Sequence, residues 1–181
     1  MTEPVQPRVL AETGGAVVAE QGPLVLVIDR GTGPLATTAF VLGVLAVVFG
    51  GFGAVTLAVS AGGRSDIPPV VSAVFVAVGL VFAAATAVAV RRIKANGRRP
   101  LTDYRPVAVF DRAHGVFTDA DGAVVAPLPQ VQFQRRMQIG SSSPKLVATT
   151  PNGDWILKRG NPFSGGIGDL DAVLTAVVHG R

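Results

Sequence analysis

The sequence predicts an α+β membrane protein, a two-helix transmembrane hairpin joined to an antiparallel β-domain that one C-terminal helix caps. Three observations carry this. Residues 35–60 and 67–90 are apolar runs of 26 and 24 positions without a charge. Short β-rich segments punctuated by turn residues flank the runs on both sides. The chain closes on a helical repeat of apolar residues from Ile167 to Val178.

A hydrocarbon core of about 30 Å needs about 20 helical residues, so each run is long enough to span it with some tilt. The remainder of a 181-residue chain holds too little apolar material to wrap two such helices as a soluble core. The connector, 61–66, is too short for a domain and is expected as an external loop. Pro68 and Pro69 suit the first turn of the second helix, where a missing N–H is harmless. One cation, Arg64, lies in the connector, whereas Arg91, Arg92, Lys94, Arg98 and Arg99 follow the second run. That asymmetry predicts cytoplasmic termini for a two-span protein of the cell membrane.

Small residues recur every four positions in both runs, as Ala46, Gly50, Ala54 and Ala58, and as Ala73, Ala77, Ala85 and Ala89. Such stripes let backbones approach closely in lipid, either between the two helices or in an oligomer. Neither run holds an ionisable residue, which speaks against a transporter, a proton relay or an intramembrane protease.

The chain has no cysteine, and so no disulfide, thiol nucleophile or thiolate metal site. Residues 1–34 carry two cations against four anions, and 91–181 carry thirteen against seven. A basic domain tethered at a membrane is drawn to anionic lipids of the inner leaflet. Nucleic acid is disfavoured, since the cations are not interleaved with stacking aromatics.

Residues 1–15 read as a mobile terminus, and 16–34 as two strands, 16–19 and 24–28, split by the turn at Gln21–Pro23. Two strands alone are marginal in water and need a partner sheet on the same side of the membrane. A basic linker, 91–104, leads to that sheet in 105–181. Strands are expected at 107–110, 116–118, 124–126, 130–139, 145–150 and 154–158, the last two around a type I′ turn at Asn152-Gly153. In 130–139, Val131, Phe133, Met137 and Ile139 share one face, and Arg135 interrupts it. The final helix is expected over 167–179, with Asp169 and Asp171 near its start and Gly180 past its end.

A meander of strands closed by one amphipathic helix resembles a pleckstrin-homology-like (PH-like) domain. The chain is similar to small bacterial membrane proteins with two adjacent spans and such a domain. The resemblance rests on 106–112, His114-Gly115, Asp121-Gly122, the strand 131–139, 152–158 and the helix 167–178. It implies a barrel with more strands than the C-terminal segment supplies, so residues 16–30 are expected to contribute the missing one or two.

Chemistry is sparse. His114 in a turn and His179 in the last helical turn have no neighbouring ligands at metal spacing, so neither metal nor cofactor is expected. Asp119 to Gly122 lacks the closing Glu of a calcium loop and reads as a β-turn. Residues 164–168 are glycine-rich before a helix, but no Lys-Ser/Thr follows to mark a nucleotide site. Arg91, Arg92, Lys94, Arg98 and Arg99 are expected to set topology and touch headgroups. Arg135, Arg136, Lys145, Lys158 and Arg159 form a second basic patch if their strands are neighbours. The expected function is noncatalytic: a membrane-anchored scaffold or accessory protein, partnered by another protein or its own copy. A sensor of anionic lipids is the alternative, and an enzyme or transporter the least favoured.

Overall fold

A computed structural model describes residues 7–63 and 67–180. The chain forms two compact units, one of residues 34–95 and the other of 1–33 together with 96–181.

The first unit holds helix α1 (Gly33–Ala61), apart from its first residue, and most of helix α2 (Pro69–Arg98). Both are long and apolar enough to cross a bilayer. The connector residues 64–66, with Arg64, lie outside the described residues. The helices meet along a seam of small side chains. A Cβ on Gly79 would stand 2.4 Å from the Gly50 backbone, and one on Gly53 would stand 2.6 Å from the Val76 nitrogen. Phe49 and Phe75 stack at 5.8 Å beside it, and Thr56 and Ser72 are buried. Thr56 donates to the Phe52 carbonyl, the usual way a hydroxyl is satisfied inside an apolar helix.

The second unit is two antiparallel sheets and a helix. Strands β1 (Arg8–Thr13), β2 (Ala16–Gln21), β3 (Leu24–Asp29), β4 (Pro106–Asp111), β5 (Val116–Asp119) and β6 (Val124–Pro127) form a six-stranded sheet in chain order. Strands β7 (Gln132–Gln138), β8 (Ser141–Thr150) and β9 (Gly153–Arg159) form a three-stranded one. The helical insertion therefore separates two strands that pair directly, with Val25 opposite Phe110 and Leu26 opposite Val109. Helix α3 (Leu170–His179) packs on β7 and β1, burying Leu170, Leu174 and Val178 at the four-residue spacing of one helix face.

Phe110 stacks on Phe117 at 4.8 Å and meets Phe133 of the other sheet edge-on at 5.1 Å. These three rings join the sheets through one core that also takes Val18, Val27 and Leu146. Val17, Ala19 and Ile28 bury the opposite face of β2 and β3 under Leu101 and Tyr104. Burial on both faces explains why these strands read as continuous apolar runs rather than alternating ones.

Four expectations are corrected. Of the segment expected to be mobile, Arg8–Thr13 is strand β1, because Leu10 and Ala11 pack on the core beside α3; residues 1–6 lie outside the described residues. The basic segment 91–104, expected as a linker, is helical in its first part, since α2 continues to Arg98. Arg, Lys and Ala are good helix formers and carry the helix past Gly97 to a stop just before Pro100. Helix α3 starts at Leu170 rather than 167, because Gly168 takes a left-handed φ of 50°. The turn between β8 and β9 is Pro151-Asn152, with Gly153 already paired to Thr150. Proline's fixed negative φ is incompatible with a type I′ centre, so only Gly153 is left-handed.

Candidate interaction groove beside the C-terminal helix

Chain direction defines two ends of the β-unit. Strand β3 ends at Asp29 and β4 begins at Pro106, so the connections at Gly33 and Asn96 leave from one edge. There Asn161 donates to the Gly33 carbonyl and the Tyr104 hydroxyl to that of Asn96. The opposite end carries the β2–β3 and β4–β5 turns and the C-terminus of α3.

A cleft of about 840 Å³ opens at that far end. Its floor is Gln132, Phe133 and Gln134 of β7, its wall Thr175, Val178 and His179 of α3, and its end Leu128 and Pro129. Pro127 precedes, and Pro129 lies within, the short 3₁₀ turn Leu128–Gln130 that carries the chain from one sheet to the other. The Leu128 N–H donates to the Gly115 carbonyl at 2.8 Å and fixes that corner. Strand β7 is hydrogen-bonded to a strand on one side only, so its other edge faces this cleft beside α3.

The helix end is held from two sides. Arg112 pairs with Glu20 and donates to the carbonyls of Gly22 and Val177, placing a cation where the last helical carbonyls lack partners. The His179 Nε2 lies 3.0 Å from the Val131 carbonyl, beside the Phe133 ring. Gly180, with a φ of 67°, supplies the left-handed cap.

The start of α3 is clamped by Arg135, whose guanidinium reaches Asp169 and Asp171, each at 2.8 Å. This accounts for the charge that interrupts the apolar face of β7: it faces the first turn of α3 instead of the core. The two hydrogen bonds raise the Arg135 pKa further above its already high value. Burial pushes the Asp171 carboxyl up, but the Arg135 hydrogen bond and charge outweigh it, with backbone N–H groups adding to them. The net effect holds Asp171 below the usual carboxylate range. Beyond Arg135, Met137 and Ile139 are exposed.

The basic residues separate into two groups. Arg91, Arg92, Lys94 and Arg98 project from α2, and Arg99 follows it, all exposed. Of the second group, the strand pairing sets Arg136 opposite Lys145 and Lys145 opposite Arg159. Most of its charge is balanced locally. Arg135 binds α3, Arg136 pairs with Asp154, and Lys158 is buried against Asp29. Among the described residues, Lys145 and Arg159 have no carboxylate within 4.0 Å.

Of the small residues in the helices, Ala46 and Gly50 lie at the seam and Ala89 is buried, with Ala85 half-buried. Ala54, Ala58, Ala73 and Ala77 are exposed. A four-residue step advances about 40° around a helix of 3.6 residues per turn, so a strict stripe leaves a straight seam after two steps. The true seam alternates three and four, through Gly43, Ala46, Gly50 and Gly53 on α1 and Ser72, Gly79 and Thr86 on α2.

Other motifs resolve as structure. The Asp119 carboxylate accepts from the N–H groups of Asp121 and Ala123, closing a turn. The 164–168 segment is compact because the β1–β2 turn presses on it: a Cβ on Gly14 would stand 2.2 Å from the Gly166 carbonyl oxygen. His114 bonds the Asp111 carboxylate within its own turn and lowers its pKa. Among the described residues no three His, Cys, Asp or Glu side chains are grouped to hold a metal. Sequence reasoning missed Arg112, Gln132, Gln134 and Thr175 as groove residues, and their one signal is polarity beside buried strand positions. Comparison with protein-family models, curated proteins and solved structures finds no match to this chain.

Proposed function

We propose that this chain is a noncatalytic accessory or scaffold protein of the cell membrane. Its helical hairpin anchors a PH-like domain at the cytoplasmic face, with both termini inside, and the domain receives an extended segment of a partner protein in the groove between β7 and α3. The groove's position carries the reading: a strand edge and a floor that sets the Phe133 ring between the amides of Gln132 and Gln134, at the end of the domain opposite its connections to the helices. Such an edge accepts main-chain hydrogen bonds, and the flanking pockets take alternate side chains. Support for the PH-like assignment comes from two antiparallel sheets closed by one C-terminal helix. Five cations after the second apolar run against Arg64 before it support the orientation.

The test uses full-length protein carrying a photocrosslinking side chain at Thr175 or, as control, at Asp121, in the membranes of cells that make it. The expected result is a discrete adduct from Thr175 alone, lost when Gln134→Trp fills the groove. Purification of the protein without partner, or an adduct indifferent to Gln134→Trp, overturns the groove as the functional surface.

A further inference from the structure

Outside the helical unit, the most exposed large apolar side chains described are Met137, at 73%, and Ile139, at 107%. They sit at the tip of the β7–β8 hairpin, which turns through Ile139 and Gly140 alone, with Gln138 paired to Ser141 and Gly140 at a φ of 80°. The tip is not loose. Gln138 donates through Nε2 to the carbonyls of Ser143 at 2.8 Å and Gly160 at 2.7 Å, clasping the bulge on β8. Alternation along β7 then turns Met137 and Ile139 to the side opposite Gln138, so a rigid ribbon presents both to solvent.

The tip lies at the same edge of the β-unit as its connections to the helices. The Gly160 N–H donates to the Pro144 carbonyl, and the next residue, Asn161, donates to Gly33, the first residue of α1. Lys158 of β9 is paired with Asp29, four residues before Gly33. A Cβ on Gly97 would stand 3.7 Å from Arg30 Nη1, placing the end of α2 there as well. The two cations of the three-stranded sheet without a carboxylate partner, Lys145 and Arg159, face each other across β8 and β9 just behind the tip.

We infer that the β7–β8 hairpin is a membrane-inserting wedge: Met137 and Ile139 enter the headgroup–acyl boundary of an anionic bilayer, and Lys145 and Arg159 contact its phosphates. The inference rests on the reading of α1 and α2 as a membrane anchor. Lipid rather than protein is favoured by charge and place together. Exposed apolar side chains backed by unbalanced cations match an anionic interface, and they stand on the edge from which two apolar helices depart. Ser142, exposed at the base of the tip, adds a hydroxyl able to hydrogen-bond to headgroups.

The absence of cysteine makes the test direct. Single cysteines at Ile139, at Val47 in α1 and at Ala113 in the far β4–β5 turn carry an environment-sensitive fluorophore. The full chain is reconstituted in phosphatidylcholine vesicles with or without phosphatidylglycerol, and quenching by lipid-attached nitroxides is read. The expected pattern is strong quenching at Val47 in both vesicles, quenching at Ile139 that rises with phosphatidylglycerol, and none at Ala113. Lys145→Glu with Arg159→Glu lowers the Ile139 signal about twofold or more and leaves Val47 unchanged. Quenching at Val47 with a solvent-like Ile139 overturns the wedge and spares the anchor. An unquenched Val47 overturns the anchor, and the wedge with it. Quenching at Ile139 that ignores both phosphatidylglycerol and the charge reversals overturns the roles of Lys145 and Arg159. Burial of the Ile139 probe in dilute detergent without lipid assigns the tip to a second copy instead.

Discussion

The two units solve the same packing problem with opposite materials. In the β-unit, large rings and branched side chains fill the space between sheets, as Phe110, Phe117 and Phe133 do, and charge is kept outside or paired. In the helical unit many large side chains point outward, with Val47 73% exposed and Val70 74%, and the closest approach is made by Gly50, Gly53 and Gly79 beside the stacked Phe49 and Phe75. The β-unit draws its stability from removing apolar surface from water. A helix pair that crosses a bilayer would have no such gain, and close backbone approach would replace it. The units also differ in how the chain builds them. The hairpin is one continuous segment, whereas the β-unit is assembled from two segments on either side of it.

That last difference gives the largest predicted effect. A fragment of residues 96–181 lacks β1, β2 and β3, and with them Val18, Val25 and Val27 of the core. It is expected not to fold, giving no cooperative thermal transition. Residues 1–33 joined to 96–181 by a flexible linker should fold without the helices, because β3 still meets β4. A cooperative transition in the first fragment would show that the two-segment sheet is not required.

A smaller effect separates charge burial from charge pairing at the junction of the segments. Lys158 is 4% exposed and its partner Asp29 keeps 31% of its side chain in contact with solvent. Removing Asp29 strands a buried ammonium, so Asp29→Ala should cost about 3–5 kcal/mol. Lys158→Met leaves a carboxylate that water and the Gly31 N–H still satisfy, and should cost about 1–2 kcal/mol. Urea unfolding of the protein without its helices reads both, and equal losses would mean that the pair is more evenly solvated than its geometry indicates.

The hairpin is probed by size rather than charge. Gly79→Leu drives a side chain into the Gly50 backbone, and overpacking of this kind costs about 1–3 kcal/mol. Ala77→Leu, two residues away on an exposed face, should change stability by less than about 0.5 kcal/mol. Disulfide formation between Gly43→Cys and Thr86→Cys, which face each other across the seam, should slow markedly in the first background and not in the second.

These contrasts also explain what the sequence made legible. The two long apolar helices were visible because a charge-free run of 26 residues has few other fates. The seam was not, since every fourth residue and every third-or-fourth residue are small in the same stretch, and only geometry chooses between them. The strands were visible from β-rich runs and turns, but β1 was hidden by Arg8, Glu12 and the prolines before it. The groove was least legible, because Arg112, Gln134 and His179 are far apart in the chain and ordinary one by one. Arg135 did announce itself, as a cation on an apolar face, and its partners were already named as acidic residues at a helix start.

The smallest effect tests whether that clamp orders α3. Asp171 has a folded pKa below its unfolded value of about 3.9, so its ionised form is favoured by folding. The stabilisation it gives is present above about pH 4 and is lost as pH falls through the lower folded value. Hydrogen exchange at the α3 amides should therefore accelerate on acidification below about pH 4, while β2 and β3 remain protected. Asp171→Asn should show the faster exchange at neutral pH and lose the acid step. Asp111→Asn is the control: Asp111 is also held below its ordinary range, but its partner His114 lies in the same turn, remote from the start of α3. Its removal should leave the acid response of α3 intact. If the step instead vanishes with Asp111, the helix is ordered from its C-terminal end, through Arg112 and His179, and the groove wall depends on the far turn rather than on the Arg135 clamp.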